Sequence, residues 1–178
     1  LRADFKLISL KGEIMAYWSN WSNVDFADKA KYNESTKDLP HETATYVFRI
    51  VDNDGKPLPI QTANGLDEQG IVYVGQAINL RKRYGNKYIA YEKGEKRCSS
   101  LRALARKVKD NDAFKNKYPN AKFQISYRIV DDEESSKKLE KDLLHCYMQK
   151  YIHGPLLNSK LPYENGEYNK DLFNELNP

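Results

Sequence analysis

The chain has 178 residues, of which 40% are hydrophobic and 30% charged, a length close to the ~100–200 residues of one domain and an argument against a two-domain enzyme. Mean hydropathy is −0.80, and no apolar run approaches the ~18–20 residues that a bilayer crossing needs, so no membrane partner is expected. Net charge is only +4, but eleven Lys and Arg and two acids lie between Ile78 and Lys109, a block of +9 that leaves about −5 for the remainder.

Positive charge concentrated in this way and interleaved with Tyr84, Tyr88 and Tyr91 is the footprint of a phosphate-backbone ligand. A solvated cationic face without a partner is the plainer alternative. Cys98 and Cys146 are the only cysteines, in neither a Cys-x-x-Cys nor a Cys/His cluster. A disulfide framework and a structural zinc are therefore not expected, and the reducing cytoplasm is the expected compartment. The first thirty residues carry Asp4, Glu13, Asp25 and Asp28 and no continuous apolar stretch, which does not read as a secretory signal. Thirteen tyrosines against six phenylalanines exceed the needs of a core and place some phenols at a working surface.

Residues 1–40 read as an N-terminal extension of short helices or irregular structure, its Tyr17, Trp18 and Trp21 packed on a main body of residues 41–178. Ala44 to Val51 is β-branched and aromatic, a strand. Residues 52–69 hold Asp54-Gly55, Pro57, Pro59 and Asn64-Gly65, the turn chemistry of a long insert before a second strand at Gly70 to Gly75. That insert is either a groove-reading element or a passive surface loop. Asn79 can cap a short helix through Arg83. A further helix from about Ser100 places Leu101, Leu104, Ala105 and Val108 on one side and Arg102, Arg106 and Lys109 on the other. Lys122 to Val130 is a third strand. Asp131 and Glu134 have the spacing of a capping box for a helix reaching about Tyr151. Breakers follow Pro155, with one short helix near Leu172.

Turned at roughly 100° per residue, the last long helix places Leu139, Leu143, Leu144, Tyr147 and Tyr151 on one face and Glu140 in its midst. An ionised carboxylate there needs a cation or strong donors. Glu140 is thus a candidate metal ligand, the alternatives being a rim position or a salt bridge to an internal arginine. His145 points the other way and reads as surface.

Two strands each bearing a tyrosine, Tyr46 and Tyr73, then Gly75, Asn79, Leu80 and Arg83, then Glu140 on a helix and Asn158 beyond it, form an ordered constellation that resembles the GIY-YIG endonuclease family. The resemblance covers about residues 44–158 and is strongest from Tyr73 through Arg83. It implies an α+β fold, a small three-stranded antiparallel sheet flanked by helices. It also implies paired active-site tyrosines at Tyr46 and Tyr73, a catalytic Arg83, a metal-ligating Glu140 and an Asn158 that closes the site. Three features depart from the family pattern. The first motif is Ala44-Thr45-Tyr46 without the family's glycine, the tyrosines are 27 residues apart, and Lys87 stands where many members have a histidine.

Phosphodiester hydrolysis needs a nucleophile, a cation against the non-bridging oxygens and a proton for the leaving alkoxide. Glu140 can hold one Mg²⁺ or Mn²⁺ with waters, and Arg83 can fork onto the scissile phosphate. Tyr46, supported by Tyr73, can take the proton of the attacking water if an adjacent cation lowers its pKa well below ~10. Lys87 can stand in for the missing histidine. Arg81, Lys82, Arg102, Arg106 and Lys109 would grip flanking phosphates of DNA, with RNA left open. The other readings are a nucleic-acid-binding module without turnover and a structural domain in which Glu140 merely pairs with Arg83.

Overall fold

A computed structural model describes residues 17–25, 29–83, 112–158, 161 and 172–176. In chain order the elements are β1 (Ser22–Val24), α1 (Lys29–Thr36), β2 (Ala44–Val51), β3 (Ile60–Thr62), β4 (Gly65–Asp67), β5 (Ile71–Ala77), α2 (Asp112–Lys117), β6 (Lys122–Ile129) and α3 (Glu133–Tyr151), with a 3₁₀ turn at Asn174–Leu176. A helical turn at 80–83 follows β5. The helix expected from Ser100 lies outside the described residues.

The fold is α+β, and its main sheet has four strands in the order β1-β6-β2-β5, each adjacent pair antiparallel. The three strands expected from β-branched and aromatic runs are its β2, β5 and β6. The fourth comes from the N-terminal extension. Ser22–Val24 pairs with Phe123–Ile125, and just before it the Ser19 amide donates to the Tyr127 carbonyl at 2.8 Å. The outer edge of β6 would otherwise bury unpaired backbone groups, and a short polar segment is enough to satisfy them. Trp21 fixes this segment to the body. Its indole donates to the Leu176 carbonyl at 3.2 Å, and the Arg49 guanidinium sits 4.1 Å over its ring.

Strand β2 is buried on both faces except at Arg49. On one face Tyr46, Phe48 and Ile50 pack with Tyr73, Leu80, Phe114 and Leu157. On the other, Val47 packs with Val74 of β5 and with Leu143, Leu144 and Tyr147 of α3. Between Phe48 and Arg49 the β2–β5 register shifts, Phe48 facing Tyr73 and Arg49 facing Ile71. The extra residue, Val72, breaks the alternation of β5, so that Val72 and Tyr73 join the same cluster.

Residues 52–69 are not the irregular excursion that their breakers suggested. Ile60–Thr62 and Gly65–Asp67 form a two-stranded hairpin, with Gly65 at φ 93° beside its two-residue turn. Asp67, 1% exposed, ties the hairpin to the body. One carboxylate oxygen accepts from the Ile71 amide at 2.9 Å and the Tyr147 hydroxyl at 2.9 Å, and the other accepts from the Gln69 amide at 3.0 Å.

Helix α3 opens one residue later than the expected cap. The Val130 amide still donates to the Thr43 carbonyl at 3.0 Å, so the chain leaves the sheet only afterwards. Asp132, in extended conformation, then accepts from the Ser135 amide at 2.7 Å. The helix ends at Tyr151 as expected. Ile152 follows it in the left-handed region at φ 69°, a conformation costly for a β-branched residue. His145 is not a plain surface residue: it is half-buried, its Nε2 shut away from solvent with no hydrogen-bond partner among the described residues. The expected helix near Leu172 is present as the 3₁₀ turn.

Burial pushes the Asp67 carboxyl above its ordinary range, against the three hydrogen bonds that favour its charge. A group raised on folding stabilises the protein below its unfolded value of ~3.9 and loses that contribution as pH rises through the folded value. We expect Asp67→Asn to gain stability relative to the parent as pH rises from 4 to 7 in urea denaturation; a relative loss over that range would show the ionised form to be the favoured one.

Candidate active site

The site starts from a cross-strand pair. Tyr46 on β2 lies opposite Gly75 on β5, and the Tyr46 and Tyr73 rings sit 6.0 Å apart at 32°. A Cβ on Gly75 would come within 2.7 Å of Tyr46 Cζ, Tyr46 Oη and Tyr73 Cε1. Only glycine leaves room for two phenols to cross the strand there. Phe48 backs both rings, at 6.0 Å from Tyr46 and 6.3 Å from Tyr73.

The turn bearing Arg83 is fixed at its start. Asn79 caps it as expected, Oδ1 accepting from the Lys82 amide at 2.7 Å and the carbonyl from the Arg83 amide at 2.9 Å. The remaining first-turn amides find partners just ahead of β2. Leu80 donates to the Glu42 carbonyl at 3.1 Å and Arg81 to the Pro40 carbonyl at 2.9 Å. Leu80 is fully buried while Arg81, Lys82 and Arg83 are exposed, so the turn is anchored by one apolar side chain and presents three cations.

Helix α3 is latched next to Tyr46. Thr45 Oγ1 donates to the Ser136 carbonyl at 2.9 Å and lies 3.1 Å from Ser136 Oγ, both residues buried. Glu140 is one helical turn beyond Ser136 and partly buried. On the helix it falls among the buried residues Ser136, Leu143, Leu144, Tyr147 and Tyr151.

These pieces meet electrostatically at the Tyr46 hydroxyl. Burial raises its pKa well above the ordinary tyrosine value and Tyr73 adds to the rise. The Arg83 guanidinium opposes it through charge and hydrogen bonding, and the Glu140 carboxylate raises it again. Tyr46, Tyr73, Arg83 and Glu140 are thereby brought together from four segments. The net direction keeps Tyr46 a neutral phenol, the reverse of what an unaided general base requires.

Asn158 takes part differently. Its Oδ1 accepts from the Val74 amide at 3.0 Å and its Nδ2 donates to the Val74 carbonyl at 2.8 Å, while the Leu157 amide donates to the Val72 carbonyl at 2.9 Å. The side chain acts as a peptide group added to the outer edge of β5, so it holds the strand that carries Tyr73 and Gly75. Of the cationic residues expected on the substrate, Arg81 and Lys82 are exposed beside Arg83; Lys87, Arg102, Arg106 and Lys109 lie outside the described residues.

The donor set suits a hard cation that keeps most of its water. Among the described residues no group of three His, Cys, Asp or Glu side chains is placed to hold a metal, and a single carboxylate such as Glu140 fits Mg²⁺ or Mn²⁺ completed by water and phosphate oxygens. The Thr45–Ser136 latch is not among the features that the residue pattern predicts. Its one signal was a serine on the apolar side of the α3 wheel.

Gly75→Ala is expected to lower stability by at least ~2 kcal/mol, the scale of overpacking in a closed core, with loss of the Tyr46–Tyr73 arrangement; unchanged urea midpoints would refute the close approach. Asn158→Ala removes two hydrogen bonds from buried backbone and is expected to lower stability by about 1–3 kcal/mol, whereas a change within ~0.5 kcal/mol would class it as an ordinary surface site. Comparison of the chain with family models, with curated proteins and with solved structures yields no match, so its functional reading rests on these residues and their geometry.

Proposed function

We propose that the chain is a metal-dependent endonuclease that hydrolyses phosphodiester bonds in DNA, with a GIY-YIG-like arrangement of groups. The observation that carries the reading is that a second phenol, a guanidinium and a carboxylate all act on the Tyr46 hydroxyl next to an exposed basic turn.

Arg83 supplies paired donors to the scissile phosphate and offsets the charge that grows on its oxygens. Arg81 and Lys82 hold flanking phosphates and make binding strongly salt dependent. Tyr46, kept neutral, orients the attacking water by hydrogen bonding, and Tyr73 fixes the angle of that phenol through ring contact. Glu140 would hold Mg²⁺ or Mn²⁺, which when bound supplies positive charge to the phosphate and lowers the pKa of coordinated water. Asn158 keeps β5 in register beneath these groups. Lys87 is the donor assigned to the leaving oxygen.

The test is nicking of supercoiled plasmid in Mg²⁺. The parent is expected to cut, and Glu140→Gln and Arg83→Ala to lose at least ~100-fold in rate, the scale of removing one preorganised stabilising group. Salt-sensitive binding by all three proteins without cutting would favour a binding module on the same scaffold, a reading supported by the upward direction at Tyr46. Absence of both binding and cutting would leave Glu140 as a structural partner of Arg83.

A further inference from the structure

A cavity of about 280 Å³ lies between the β3 hairpin, α2 and the segment before Asn158. Its walls are apolar at Ile60 and Leu157 and aromatic at Phe114 and Tyr118, with Gln61 and Lys117 as polar lining. The two rings are 5.2 Å apart at 50°, and Lys117 Nζ stands 5.6 Å from the Tyr118 ring centroid. The Tyr118 hydroxyl is shut away from solvent and has no hydrogen-bond partner among the described residues. Closed to solvent, that hydroxyl does not face the open cavity, which the Tyr118 ring lines.

The cavity is linked to the candidate active site through residues 157 and 158. Leu157 lines it and packs in the same cluster as Tyr46 and Tyr73, and the next residue, Asn158, clamps Val74. At about 280 Å³ it is smaller than the ~300–1,000 Å³ of sites for drug-sized ligands, which suits one planar ring system. The chemistry offered is two aromatic rings, the Gln61 side-chain carbonyl, whose Nε2 already donates to the Thr62 and Gly65 carbonyls, and an exposed ammonium. A heteroaromatic base attached to a phosphate matches each of these.

We infer that this cavity receives one unstacked base of a nucleic-acid strand whose backbone runs past Arg83. Lys117 holds the phosphate of that nucleotide, the Phe114 and Tyr118 rings contact the base, and Gln61 Oε1 accepts from its polar edge. The inference rests on the endonuclease reading and adds a base-binding site to it.

The full-length chain can be tested by fluorescence anisotropy at low salt without Mg²⁺. The probes are a labelled single strand of ~12 nucleotides and a strand of equal length made of abasic sugar-phosphate. The parent is expected to prefer the base-bearing strand by about tenfold, within the range reported for stacking of one base. Gln61→Leu, which removes the acceptor at an exposed lining position, is expected to reduce that preference about threefold, on the scale of one hydrogen bond. Ala113→Trp, a substitution at an exposed lining position, is expected to abolish it by filling the cavity, while both variants keep the parent's melting temperature and its affinity for the abasic strand. Equal binding of the two strands by the parent, or a preference untouched by Ala113→Trp, would overturn the base site; plasmid nicking in the same preparation would show that the endonuclease reading survives. Failure to bind either strand, with no nicking, would bring down both.

Discussion

The candidate site depends on a missing methyl group. Gly75 stands opposite Tyr46 in the ladder, and the space that any Cβ would take is filled by two phenol rings. Without that space Tyr46 could not lie across β5, and its hydroxyl could not come under the influence of the Arg83 turn that follows the strand and of α3 packed behind it. The bulge at Val72, three residues before Gly75, ends the regular stretch in which Gly75 and Tyr73 lie opposite Tyr46 and Phe48 and share their face. Such local departures from a regular ladder commonly re-aim side chains next to functional sites.

Burying a phenol among charges is a compromise between opposing effects. Desolvation and the neighbouring carboxylate favour the neutral hydroxyl, whereas the guanidinium favours the phenolate, and in the ligand-free protein the first pair prevails. The same balance is struck with opposite chemistry at Asp67, where three donors fail to outweigh loss of water around a carboxylate that is 1% exposed. Both groups sit on strands held by α3, through the Thr45–Ser136 contact and the Tyr147–Asp67 hydrogen bond. One helix therefore supports the candidate chemistry at its N-terminal half and the hairpin at its C-terminal half.

Much of this was legible in the sequence, and the failures share a cause. β2, β5, β6 and α3 were readable because their runs are long enough for composition and period to dominate. The position of Glu140 among the apolar residues of α3 followed from the same periodicity, and its side chain is partly buried there. β1 has three residues, two of them polar, and exists because β6 has an edge to complete; that cause lies elsewhere in the chain. The 60–67 hairpin was hidden by prolines and glycines that mark its boundaries as well as its turn. The Asp131 cap was displaced to Asp132 by a tertiary hydrogen bond, Val130 to Thr43. Helix α2 and its cavity went unread at six residues, although Phe114 and Tyr118 carry the i, i+4 spacing of a helical aromatic pair.

The strip from Leu157 to Asn158 along β5 has a consequence for how copies of this protein behave toward one another. An outermost strand normally offers its amides and carbonyls as a template on which a foreign strand can grow. Here Leu157 and the Asn158 carboxamide have already occupied Val72 and Val74, so a buried and strongly apolar strand is insulated from self-association. The segment that braces the two phenols also closes this edge of the sheet to polymerisation.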